Sequence, residues 1–161
     1  MDKGQRTPGL GSDSSDSFVA FYRAEYPGMV RLAHVLSGNA DAAEDLVQDA
    51  FARLHGRIES LDNPGGYLRT TVVNLCRDSD RRRARERRHA EMAPSPVLAS
   101  DTSEMIDVLL GLPYRQRAVL VLRYWGDWSE AEIAKGIGCR PGTVKTLASR
   151  GLARLRKELP S

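Results

Sequence analysis

From Glu130 to Leu147, small, turn-forming and apolar residues fall at offsets that suit two short helices crossing at a tight turn. With Glu130 as the first position, Ala134 falls fifth, where the helices pack closest and a larger side chain would clash. Gly138 falls ninth, in the turn, where a positive φ is needed. Ile133, Ile137, Val144 and Leu147 take the internal apolar positions, and Cys139 takes a tenth position that suits a small apolar group. Pro141 opens the second helix, where a missing N–H is harmless. The pattern is that of a helix-turn-helix; an ordinary helical hairpin is the plainer alternative.

The second helix then has a defined outer face. Val144, Leu147, Ala148 and Leu152 point inward, which leaves Arg140, Thr143, Lys145, Thr146, Ser149 and Arg150 outward. The N-terminal end of such a helix enters the DNA major groove. Arg and Lys reach guanine edges there, and Thr reaches bases or phosphates. Arg154, Arg156 and Lys157 continue the basic face towards phosphates or solvent. Any one of these side chains alone could simply be a solvated surface residue; as a set they favour DNA binding.

The rest of the chain bounds the answer. Its 161 residues allow one domain, or two small ones of roughly 60–70 residues. The 41% of hydrophobic residues suffices for folded cores. No apolar run approaches the roughly 18 residues of a membrane span, so membrane insertion is not expected. The first residues, MDKGQRTPGLGSDSSDS, lack the apolar stretch of a signal peptide. Cys76 and Cys139 lie 63 residues apart with no CxxC, which suggests reduced thiols and a cytoplasmic protein. Residues 1–17 read as a disordered tail, and 90–103, with Pro94 and Pro96, as a linker. Folded blocks remain at 18–89 and 104–159. No strand pair with hairpin chemistry occurs, so the expected fold is all-α: two small helical domains joined by a flexible linker, the second carrying the helix-turn-helix.

Charge is segregated along the chain. The formal net charge is only +3, with 20 Arg against 4 Lys. Residues 13–49 carry −5, residues 69–88 carry +5 and residues 140–157 carry +6. One acidic face and two basic helices imply two kinds of partner.

In the first block, Phe18, Phe21, Tyr22, Tyr26, Val30, Ala33 and Leu36 recur at helical spacing from Ser17 to Leu36, with Pro27 placed to kink or split that helix. Gly38-Asn39 stops it, and Asp41 is the expected cap of a second helix. Asp45, Gln48, Asp49 and Ala52 form one polar stripe of the second helix, opposite Leu46, Val47, Ala50, Phe51 and Leu54. That stripe is either a solvated face or a docking face for a basic protein. Residues 58–65 read as a loop, and Asn63-Pro64 opens a third helix that runs from Gly66 to about Arg88. Leu68, Val72, Leu75 and Cys76 form its buried stripe, with Arg69, Thr70, Val73, Asn74 and Arg77 partly off it. Arg81–Arg88 holds six arginines in eight residues, which suits nucleic-acid backbone contact.

Four segments together carry a family resemblance: AEDLVQDAFARLHGR, NPGGYLRTTVVNLCRDSDRRRARER, LPYRQRAVLVLRYWGDWSEAEIAKGIGC and PGTVKTLASRGLARLRKEL. The chain resembles the extracytoplasmic-function sigma factors, the minimal two-domain class of the sigma-70 family. The resemblance implies that block 18–89 is sigma domain 2. Asp45, Gln48 and Asp49 would then contact the β′ coiled coil of core RNA polymerase. Asn63, Arg69, Thr70, Asn74, Arg77, Arg81 and Arg82 would contact the −10 element, with a flipped base received by the loop 58–63. Block 104–159 would be sigma domain 4, binding the −35 element through Arg140, Thr143, Lys145, Thr146, Ser149 and Arg150 and leaning on the β-flap. Arg140 departs from the family's usual Ser, a good N-cap, so this chain's −35 preference need not follow the family's. Most members are held by an anti-sigma factor, although no residue pattern here specifies one. No cofactor is implied.

Other classes fit less well. His34, His55, His89 and the two cysteines show no metal-ligand spacing, and there is no P-loop or Ser/His/Asp pattern, so an enzyme is not expected. A zinc-binding anti-sigma protein would need a His/Cys cluster. A conventional helix-turn-helix regulator that dimerises through the first block would not need a second basic helix at 69–88.

Overall fold

A computed structural model describes residues 10–89 and 104–159. All its regular structure is helical: α1 (Leu10–Ser37), α2 (Ala40–His55), a single 3-10 turn at Ile58–Ser60, α3 (Pro64–His89), α4 (Glu104–Leu110), α5 (Tyr114–Leu120), α6 (Glu130–Ile137) and α7 (Pro141–Glu158). Helices α1–α3 form one unit and α4–α7 a second.

In the first unit, the aromatic side chains of α1 converge on one residue of α2. The rings of Phe18, Phe21, Tyr22 and Tyr26 lie 4.6–6.5 Å from that of Phe51. Burying a phenylalanine side chain contributes about 1.5–3 kcal/mol. Leu36, Val47, Leu54, Leu68 and Val72 complete this core and are fully buried.

Several local expectations need correction. Pro27 does not split α1; the helix runs through it. Arg23 and Pro27 are both exposed, so water can serve the carbonyl that proline leaves unpaired. Helix also begins at Leu10, inside the stretch expected to be a disordered tail, and Ser14 and Ser15 share the lining of an open cavity with His55–Ser60. Residues 1–9 and the expected linker 90–103 lie outside the described residues. The cap of α2 is Asn39, not Asp41: Asn39 Oδ1 accepts the Ala42 N–H at 3.0 Å, and Asp41 sits in the first turn. Helix α3 starts two residues early, at Pro64, because Asn63 Oδ1 accepts the Gly66 N–H at 3.0 Å.

The second unit keeps the expected crossing. Ser129 Oγ accepts the Glu132 N–H while Glu132 Oε2 accepts the Ser129 N–H, a reciprocal capping box that starts α6. Gly138 ends α6 at φ 72°. Ala134, Ile133, Ile137 and Val144 are buried between α6 and α7. The helix that opens at Tyr114 changes character halfway: Val121–Trp125 winds as a π turn, with the Gly126 N–H donated to the Val121 carbonyl at 3.0 Å.

The two units pack on each other. Arg117 of α5 donates to the Leu36 carbonyl at the end of α1 (2.8 Å), and Arg77 of α3 donates to the Gly136 carbonyl at the end of α6 (3.0 Å). Between these points a β-carbon on Gly136 would sit 3.4 Å from Val73 Cγ1, and one on Gly38 would sit 3.5 Å from Leu110 Cδ2. Val73 is therefore fully buried rather than partly off the core stripe, because the second unit covers it.

Candidate nucleic-acid and protein interfaces

The outer face of α7 is open. Arg140, Lys145, Thr146, Ser149 and Arg150 are exposed, and Thr143 is half-buried. Among the described residues, no carboxylate lies within ion-pairing distance of Arg140, Lys145 or Arg150. Arg140 occupies the N-cap position with extended backbone, φ −78° and ψ 148°, and makes no side-chain cap bond. Its guanidinium is thus available at the end of the helix that would meet a base edge.

The candidate set on α3 is divided. Arg69, Thr70, Arg81 and Arg82 are exposed. Asn74 and Arg77 are half-buried, and Arg77 reaches towards the second unit. Arg77 is already engaged with Gly136, and Arg77 and Arg81 both approach Gly138. Asn63 is exposed, but its side-chain oxygen is occupied in holding the start of α3.

On α2 the three polar residues share one exposed stripe. Asp49 pairs with Arg53 at 3.3 Å, an i,i+4 surface bridge. Gln48 Nε2 donates to Tyr22 Oη at 2.8 Å, which ties the stripe to α1. Tyr22 stacks on Tyr26 at 5.0 Å beside it. Asp45 has no side-chain partner among the described residues.

A third surface is apolar. A groove of about 440 Å³ runs between α1, α4, the π turn and α7. Met105, Tyr124 and Trp125 line it, and all three are exposed large hydrophobic residues. Its other wall comes from Arg31, His34 and Val35 of α1.

The sequence reading missed Arg83 and Arg117. Arg83 donates to the Ser37 carbonyl at 3.1 Å, within the first unit. Arg117 is buried and bridges the Leu112 and Leu36 carbonyls, both at 2.8 Å. A signal for Arg117 existed: it shares the helical face of Tyr114 and Val121, a charge on an otherwise apolar stripe. Burial holds its pKa below the usual arginine value. The same burial raises the Tyr114 phenol above its usual value and pushes Cys76 up to about 12. Cys76 is therefore a neutral packing thiol and not a nucleophile.

Comparisons with known proteins agree with this arrangement. Residues 21–86 match the family described as Sigma-70 region 2, and residues 103–155 match Sigma-70, region 4. The chain is 34% identical over 151 residues to an RNA polymerase sigma-E factor of Streptomyces coelicolor, covering 88% of this chain and 85% of that protein. It is 33% identical to the ECF RNA polymerase sigma factor EcfG of Rhodopseudomonas palustris, covering 88% and 84%. Among solved structures it resembles the Bartonella quintana sigma factor RpoE, crystallised in complex with the anti-sigma factor NepR. There the TM-score is 0.69 and the identity 26%, over 88% of this chain and 96% of that one. With both regions matched and these identities over most of its length, the chain belongs to the sigma-70 family as an extracytoplasmic-function RNA polymerase sigma factor.

Proposed function

We propose that the chain divides the work of a sigma factor between its two units, with block 18–89 acting as domain 2 and block 104–159 as domain 4. In this reading Asp45, Gln48 and Asp49 dock on the β′ coiled coil of core polymerase. Arg69, Thr70, Asn74, Arg77, Arg81 and Arg82, with Asn63 at the start of the helix, engage the −10 element. Arg140, Thr143, Lys145, Thr146, Ser149 and Arg150 engage the −35 element. The exposed Met105, Tyr124 and Trp125 suit contact with the β-flap. The chain acts by binding and positioning, without catalysis of its own, and inside the cytoplasm, where polymerase and promoter lie. An anti-sigma partner is part of the reading, since the similar Bartonella protein was crystallised with one.

The observation that supports this most is the segregation of charge in three dimensions: one exposed acidic stripe on α2, and exposed arginines on α3 and α7 without acidic partners on the α7 face. A carboxylate stripe suits a basic protein helix, and the basic faces suit phosphate and base edges. The test is gel filtration of the purified chain with core RNA polymerase at moderate salt. Stoichiometric comigration is expected. DNA binding without comigration would instead indicate a conventional helix-turn-helix regulator.

A further inference from the structure

We propose that the turn between α6 and α7 carries a binding site for a small oligophosphate anion, of which diphosphate is the simplest, held by Arg77 and Arg81 of α3 and Arg115 of α5. The site goes beyond the promoter and polymerase contacts above and rests on none of them.

Three guanidiniums from the two units meet at Gly136–Gly138. Arg77 Nη1 donates to the Gly136 carbonyl at 3.0 Å, and Arg115 Nη2 donates to the Gly138 carbonyl at 3.4 Å. A β-carbon on Gly138 would stand 3.1 Å from Arg77 Nη1 and 3.5 Å from Arg81 Nη2. Arg77 and Arg81 therefore both border the space that the absent side chain leaves open, and Gly138 is exposed there.

The protein does not balance this charge. Among the described residues, the one carboxylate within ion-pairing distance of the three side chains is that of Asp78, 3.9 Å from Arg77 Nε. Asp78 is exposed, so its attraction is screened by water. Arg81 and Arg115 have no such neighbour among the described residues. Like charges held together repel, and an anion between them removes that repulsion.

Capping the carbonyl end of α6 accounts for one N–H of Arg77 and one of Arg115. It does not account for Arg81, or for the donors left over. A guanidinium carries five N–H groups in a planar fork, so most of each fork remains free. Arg77 Nε is buried without a hydrogen-bond partner among the described residues. Phosphoryl oxygens are spaced to accept two N–H groups from one such fork, which makes phosphate the matching anion. A free anion suits the cluster better than a nucleic-acid strand. The phosphates of a strand run in a row, about 3.4 Å of rise apart, and the exposed face of α7 is row-like in the same way. Here the donors instead converge on one turn from two sides. That shape suits a compact anion with adjacent phosphoryl groups.

The test is calorimetric titration of the full-length chain with sodium pyrophosphate, without divalent cations and at constant ionic strength. One saturable site is expected. Arg81→Gln and Arg115→Gln should each weaken it about tenfold, as the loss of a charge-assisted hydrogen bond requires. Both residues are exposed, so both variants should keep wild-type helical content. Asp78→Asn removes the competing carboxylate and should tighten the site about threefold, a gain that a folding defect cannot imitate. Lys145→Ala with Arg150→Ala, on the outer face of α7, should leave it unchanged. No saturable site, or an equal loss in the α7 variant, would overturn the proposal, because the attraction would then be diffuse. Unchanged affinity in Asp78→Asn would overturn the part given to Arg77. Random-sequence duplex DNA, titrated in parallel, separates the other source of phosphate. Arg115→Gln should bind DNA as the wild type does. A loss on DNA that matches the loss on pyrophosphate would overturn the free-anion site in favour of a backbone contact.

Discussion

Arg77 and Arg117 perform the same task in opposite directions. Each carries a guanidinium across the seam between the units to the carbonyl of a penultimate helical residue, Gly136 at 3.0 Å and Leu36 at 2.8 Å. The two contacts are not equally exposed to change. Arg117 is buried and also holds the Leu112 carbonyl of its own unit, whereas Arg77 is half-buried and, among the described residues, hydrogen-bonds Gly136 alone, with Asp78 3.9 Å from its Nε. Loss of Arg117 should therefore disturb the second unit itself, while loss of Arg77 should act mainly on the seam.

The α2 stripe should tolerate charge reversal structurally. The Asp49–Arg53 pair is a surface bridge worth about 0.3–0.5 kcal/mol, and Asp45 has no partner to lose among the described residues. Asp45→Arg with Asp49→Arg should leave the helical content and the thermal midpoint near wild type. The same variant should no longer comigrate with core polymerase. Retained comigration would remove α2 as the docking face.

On α7, Lys145→Ala or Arg150→Ala should weaken binding to a selected promoter by about 1–3 kcal/mol if the side chain reads a base edge. The loss should then be greater on the cognate sequence than on random DNA. An equal loss on both, with a shallower salt dependence, would place the residue on a phosphate instead. Fluorescence anisotropy across a salt series distinguishes the two.

Arg140 sits where a helix would gain from Ser. Because it makes no cap bond, Arg140→Ser should stabilise the second unit by about 0.5–1 kcal/mol, measured by urea unfolding. The same change should reduce affinity for promoter DNA. A variant that is more stable and binds DNA equally well would show that Arg140 makes no contact there.

Alkaline pH should destabilise the fold. Cys76 titrates at about 12 when folded and Tyr114 is raised as well, both mainly through burial. A raised pKa contributes stability below the unfolded value, and that contribution is lost as pH climbs towards the folded one. For Cys76 the window runs from about pH 8.5 to 12, with a slope near 1.4 kcal/mol per pH unit for one proton. Urea midpoints should be flat from pH 6 to about 8 and fall beyond it. Cys76→Ala should show a shallower fall.

Much of the architecture was legible because it depends on local spacing. Ala134, Gly138 and the apolar positions around them specify the α6–α7 crossing by size and backbone conformation alone. The position of Cys139 and the exposed row on α7 follow from the same register. Boundaries were less legible. Asn39 and Asp41 are both good caps, and the choice between them depends on where α1 stops at Gly38. Pro27 was ambiguous because a proline breaks a helix only where its freed carbonyl cannot reach water.

The sequence by itself determined that the two folded blocks are helical, that they carry one acidic and two basic faces, and that the second crosses two helices at a glycine turn. These follow from periodicity, charge order and a required positive φ, all of which are local. Only the tertiary structure decided that Val73 is buried, that Arg77 is spent on Gly136 and that Arg117 reaches Leu36. Those outcomes depend on which surface meets which across the seam, between residues as many as 81 positions apart, and no local spacing encodes that meeting.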